Sequence, residues 1–217
     1  MILSILEITV LINSCKKDNA EKNNNTTYPN FSRFDAGSYW IYQRFNIDSS
    51  GYATPTEVYD SCYVEKDTII NSKTYVKTYR PDTYGMNSNY SIVRDSLHYI
   101  VSVSGKIYFS SQDFQTVFES KYFKTIDDDT ICLITSKMAD KDLSVDTPAG
   151  TFTTSDFLKT YHMYPNWSFA GNPRFTHTRF AENVGIVVET LPFFTSSPNY
   201  IERRLLHYHV NIIGIQR

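Results

Sequence analysis

The sequence is short of glycine, with eight in 217 residues, and none of them gathers into a loop that could cradle a phosphate. A Gly-x-Ser-x-Gly elbow and a His-Glu-x-x-His pair are both missing, so the local signatures of a serine hydrolase and a zinc peptidase are absent. Three cysteines at distant positions give no zinc-site spacing. Neither sign of charge dominates: 21 Lys and Arg stand against 23 Asp and Glu, a net charge of −2. The chain therefore lacks the basic balance that concentrates nucleic acid, and no nucleic-acid partner is expected. No apolar run approaches the roughly 20 residues of a membrane-spanning helix. Catalytic triads assemble from distant positions, so these absences leave an enzyme unsupported without excluding one. No cofactor is implied.

Aromatic and β-branched residues are abundant by contrast, with 17 Tyr, 14 Phe and 2 Trp. Ala and Leu are sparse, and no stretch keeps helical apolar spacing over four turns. Strands should dominate. Residues 37–47 read as the first strand, 57–66 and 73–80 as the next two, with an Asn71-Ser72 reversal between. Segments 90–103 and 107–110 follow hairpin grammar around Ser104-Gly105-Lys106. Phe114 to Thr125 fits helical and strand periods equally. Thr147-Pro148-Ala149-Gly150-Thr151 is a tight reversal, and strands are expected over 152–163, 174–181, 184–190 and 200–210, with Asn183 at a turn. About ten strands predict an all-β fold: a single antiparallel domain, as a curved sheet, open barrel or sandwich, with at most one short helix.

The first dozen residues are apolar except for Ser4, Glu7 and Thr9. Leu11-Ile12-Asn13-Ser14-Cys15 then places an aliphatic residue three before a cysteine and a small residue one before it. This resembles the lipobox of bacterial lipoproteins, in which a peptidase cuts before the cysteine and its thiol takes up diacylglycerol. The resemblance implies a signal peptide over 1–14, lipidation at Cys15, a polar tether over 15–36 and a β domain over 37–217. The other reading makes Met1 to Leu11 a core strand or short helix and Cys15 an ordinary thiol. With Cys15 lipidated, Cys62 and Cys132 remain as a possible disulfide in an oxidising compartment, or as two small buried hydrophobes.

The stretch Tyr161 to Pro173 holds the candidate ligand-binding residues Tyr161, Tyr164, Asn166, Trp167 and Phe169. Two prolines, two asparagines and a glycine read as a loop. An exposed ring beside Asn suits stacking on a sugar, or seating in a protein partner. The same rings would serve as a small core closing the sheet's open end. His207 and His209 share one strand face, with Leu206, Tyr208 and Val210 expected on the buried one. Asp127-Asp128-Asp129 lacks the spaced ligands and glycine of a calcium loop.

Cys15, the Gly37 to Tyr42 strand, the Thr147 to Phe152 hairpin, Val184-Gly185-Ile186-Val187 and Arg204 to Tyr208 together resemble uncharacterised secreted lipoproteins of Bacteroidota-type bacteria. Asp67-Thr68-Ile69, Asp95-Ser96-Leu97 and Asp129-Thr130-Ile131 have the shape of the O-glycosylation sites of such bacteria. The resemblance implies an extracytoplasmic protein anchored by lipid at the outer membrane or cell surface. The expectation is a non-enzymatic domain that binds a carbohydrate, lipid or protein ligand. Two alternatives stand beside it: an exported hydrolase using carboxylates such as Glu182 or Glu202, and a carrier that holds acyl chains inside a curved sheet.

Overall fold

The computed structural model describes residues 27–81, 88–191 and 200–211. The signal peptide, Cys15 and the tether up to residue 26 lie outside the described residues. The strands are β1 (Tyr39–Ile47), β2 (Ala53–Ile70), β3 (Lys73–Pro81), β4 (Ser88–Ser96), β5 (Tyr99–Ser102), β6 (Ile107–Ser110) and β7 (Glu119–Lys124). They continue as β8 (Thr130–Met138), β9 (Leu143–Thr147), β10 (Gly150–Met163), β11 (Arg174–Ala181), β12 (Gly185–Leu191) and β13 (Tyr200–His209). A 3-10 helix, Pro165–Ala170, is the one helical element among the described residues. The fold is all-β, as the alternation in the sequence required.

All the strands join one antiparallel sheet in the order β6-β5-β4-β3-β2-β1-β13-β12-β11-β10-β8-β7, with β9 paired to β10 beside that path. Most neighbours are consecutive, because short turns close them. Asn71 and Ser72 both take positive φ (49° and 59°), the two-residue hairpin geometry whose twist matches the strands it joins. The sheet's two ends curl towards each other into a nearly closed barrel. Across the gap the Ser110 N–H reaches Met138 Sδ at 3.3 Å, Lys106 meets Glu119 at 3.0 Å, and the Phe109 and Phe180 rings lie 4.4 Å apart.

Alternation sorts the β1 side chains. Trp40, Tyr42, Arg44 and Ile47 are buried inside, while Tyr39 and Asn46 are exposed. Trp40 Nε1 donates to the Val184 carbonyl at 2.6 Å and the Tyr42 hydroxyl to that of Ile186 at 2.8 Å, so both rings reach over β13 to β12. Gly185, beside the Trp40 ring, sits at φ 100°, a backbone conformation that side-chain-bearing residues resist.

Four particulars differ from the sequence reading. β2 runs unbroken for 18 residues and bends through a register shift between Val64 and Lys66. The ambiguous 114–125 stretch contains strand β7 and no helix. Residues 31–34, assigned to the tether, belong to the domain: Phe31 packs 4.9 Å from Phe109, and the Ser32 hydroxyl donates to Asp95 at 2.6 Å. Leu206 is exposed, because a bulge opposite Ile41 and Tyr42 shifts the pairing and leaves Leu205 inside.

Candidate functional site

The barrel holds a half-open cavity of about 250 Å3. Its apolar wall includes Phe31, Phe34, Tyr42, Ile100, Phe157 and Phe180. Phe31 and Phe34 come from the segment ahead of β1, so the chain's entry into the domain forms part of the wall. Cys62 also lines it, and burial pushes its thiol up, which makes it a poor nucleophile. Burial likewise pushes the Tyr42 phenol far up, and its hydroxyl serves as a donor to backbone.

Charged side chains complete the wall and continue behind it. Arg80 Nη1 donates to Glu189 Oε2 at 2.6 Å, and Arg203 Nη1 reaches the same oxygen at 3.3 Å. Arg203 Nε also donates to Asp60 Oδ2 at 2.7 Å, and its Nη2 donates to the Pro81 carbonyl at 2.8 Å. Asp60 is gripped on both oxygens by Arg44, at 2.7 and 2.8 Å. Burial alone would raise the Asp60 carboxyl, but Arg44 and Arg203 outweigh it and hold it below the usual range. Glu189 follows the same rule, with burial overcome by Arg80 and Arg203. The chain of ions holds three guanidiniums against two carboxylates, leaving a net charge of +1.

Lys159 lies on the cavity wall, on the same β10 face as Phe157. Its strand neighbours are Ser136 on β8 and Thr176 on β11, both buried. Among the described residues no hydrogen bond or ion pair holds its ammonium group. Burial, and then Lys106, press its pKa down.

The five sequence-predicted ligand residues lie away from this cavity. Tyr161 is in β10 rather than a loop, opposite Ile134 and Arg174. Trp167 packs on a separate cluster of Cys132, Ile134 and Met163. Tyr164 and Asn166 are exposed, and Phe169 is the most open of the aromatic residues in the set at 80%. Asn172 stitches the segment together, its side chain bonding both the N–H and the carbonyl of Met163 at 3.0 and 3.1 Å.

Cys62 and Cys132 are buried free thiols in different core clusters, so the structure does not form the disulfide weighed from the sequence. His207 and His209 face outward beside the Tyr39 ring, and no group of three potential metal ligands exists among the described residues. Glu202 is held by Arg204 at 2.8 Å, and Glu182 is exposed. Two histidine pairs are incomplete as catalytic units. Ser110 Oγ contacts His98 Nδ1 at 2.9 Å but is buried and caps the N–H groups of Gln112 and Asp113. His177 Nδ1 meets the buried Asp156 at 2.7 Å, and no hydroxyl or thiol nucleophile joins that pair among the described residues.

The sequence reading missed the functional candidates Arg80, Lys159, Glu189 and Arg203. Parity along β10 would have found one of them, since Lys159 is two residues from Phe157; in β13 the bulge hides Arg203 from the same reasoning.

No protein-family model matches the chain, and no curated protein sequence matches it. Among solved structures, a candidate exported protein of YmcC-like fold from Bacteroides fragilis superimposes with a TM-score of 0.52 at 14% identity, covering 84% of this chain and 100% of that one. A candidate lipoprotein from Parabacteroides distasonis gives 0.47 at 13% identity, covering 85% and 100%. At such identity the first likeness speaks to fold alone: the barrel is similar to the YmcC-like fold of the Bacteroides protein.

Proposed function

We propose that this chain is a lipid-anchored, extracytoplasmic domain that holds a small, largely apolar ligand inside its barrel. The observation that carries the reading is the cavity of about 250 Å3, walled mainly by aromatic and aliphatic side chains within a folded interior. Protein interiors are normally packed to crystal density, and a half-open apolar recess of this size in the barrel is the kind of exception that ligand sites make. An apolar cavity of about 150 Å3 takes benzene. The larger volume here suits a ligand of about ten non-hydrogen atoms, such as a short chain or a fused ring pair. The Cys15 pattern and the exported Bacteroides protein of similar fold support the location outside the cytoplasm.

Two experiments test it. Trp40 lines the cavity, so titration with octan-1-ol should change its fluorescence saturably. Thr178→Phe, which fills space from the wall, should abolish that response while leaving the far-ultraviolet spectrum unchanged. A wild-type chain that takes up no apolar probe would remove the reading. For the anchor, Cys15→Ala should move the protein from the membrane fraction to the soluble one; unchanged fractionation would remove that part.

A further inference from the structure

We infer that the ligand of this cavity carries an acidic group, which seats on the Lys159 ammonium while its apolar body lies against Phe157 and Phe180. The inference rests on the cavity reading above and names the chemistry that the cavity selects.

Three features of the interior lead to it. First, Lys159 is the cavity's uncommitted cation: among the described residues nothing holds it, whereas Arg80 is engaged by Glu189 at 2.6 Å. Second, the carboxylates that act on Lys159 at longer range are already taken. Glu189 is shared by Arg80 and Arg203, and Glu119 accepts from both Lys106 and Lys121 at 3.0 Å. Third, the charges on the cavity wall and in the ion chain behind it are positive in sum: the ion chain contributes +1, and Lys159 raises the total to +2.

Lys159 is half-buried, and withdrawing a charge even partly from water is tolerated best when something pairs with it; among the described residues nothing does. Folding alone gains nothing from such a lysine, since methionine or leucine would fill the same place without the desolvation cost. A ligand carboxylate or similar anion entering the cavity would supply the missing partner. Ser136 and Thr176 flank Lys159 on the adjacent strands, so hydroxyls border the seat of the charge. Phe157 and Phe180 provide the apolar surface next to it.

The test compares three probes of one chain length on the full chain by isothermal titration calorimetry: octanoate, octan-1-ol and octylammonium. Octanoate should bind about tenfold or more tighter than octan-1-ol, as one charge-assisted hydrogen bond in a secluded site provides. Octylammonium should bind more weakly than either. Lys159→Met should abolish the preference for octanoate over octan-1-ol, and Lys159→Arg should keep the preference for the acid. Equal binding of acid and alcohol in the wild type would overturn the inference and leave the cavity reading standing. A preference for the acid that survives Lys159→Met would overturn the assignment to this residue. Failure of all three probes to bind would remove the cavity reading and this inference with it.

Discussion

The two faces of β1, β2, β3 and β13 depend on their side chains in different ways. The inner face carries Arg44, Asp60, Arg80 and Arg203, tied together with Glu189 of β12. The outer face carries an in-register aromatic row: His209 opposite Tyr39, Tyr39 opposite Tyr63, Tyr63 opposite Tyr79, and Tyr79 opposite Tyr90. Its rings touch at 5.6 Å between Tyr39 and His209, 4.8 Å between Tyr63 and Tyr79, and 5.5 Å between Tyr79 and Tyr90. Aromatic rings in solvent stabilise a sheet through their neighbours and little through burial. Charges inside are tolerable only in pairs. The inner face therefore stakes much more on each side chain than the outer one, and the two faces should respond to substitution on different scales.

The largest effect belongs to Asp60. Asp60→Ala leaves the Arg44 and Arg203 guanidiniums buried without their shared anion, and should cost about 3–5 kcal/mol in urea unfolding. The joint change Arg44→Met, Asp60→Leu, Arg203→Met removes the charges together and should recover most of that loss. If the triple variant is as unstable as Asp60→Ala, then the ion chain contributes more than its own neutralisation. Acid acts on the same groups. Asp60 and Glu189 are held below their ordinary values, so the stability they confer is complete above the unfolded carboxylate range, about pH 4. It is lost as pH falls through their lowered values. Asp60→Ala should flatten the acid limb of the stability profile.

Lys159 comes next, with the opposite sign. Its pKa is lowered by burial and by Lys106, with Lys121 adding to this and Glu189 and Glu119 opposing it. The folded protein therefore disfavours the ammonium, and that penalty is present at neutral pH. It fades as pH rises through the lowered value towards the ordinary lysine range. Lys159→Met should raise stability by about 1 kcal/mol at pH 7, the usual direction when a functional charge is removed from an interior. The gap between variant and wild type should close in alkali. A variant less stable than the wild type at pH 7 would show that Lys159 has a structural role.

The strands, the Asn71-Ser72 hairpin and the Asn183 turn were legible in the sequence, because two-residue alternation and turn chemistry are local properties. The inner charges were not. An arginine in an alternating strand usually marks the solvent face, and only the shared parity of Arg44 with Trp40 and Tyr42 hinted otherwise. Phe31 and Phe34 were hidden for a similar reason, since a short polar stretch gives no period from which to learn that two rings fold back onto the barrel. Leu206 failed through geometry: one bulge reverses the faces of everything beyond it, and a bulge leaves no mark in composition. The aromatics of 161–173 had two readings in sequence, a binding surface or a small core. Trp167 packs against Cys132, Ile134 and Met163, residues contributed by two strands, while Tyr164 and Phe169 stay exposed.

The smallest effect sharpens the outer side of the comparison. Tyr63 is 37% exposed and stacks on Tyr79, with Tyr39 and Tyr79 as its direct cross-strand partners. Replacing it by threonine keeps a strand-favouring residue and removes only the ring contacts. The loss should therefore be about 0.5–1 kcal/mol, the scale of cross-strand aromatic pairs. A loss comparable to that of Asp60→Ala would mean that the outer row is buried in the working protein by a contact beyond this chain. An effect of the expected size would leave the interior as the face on which this fold places its chemistry.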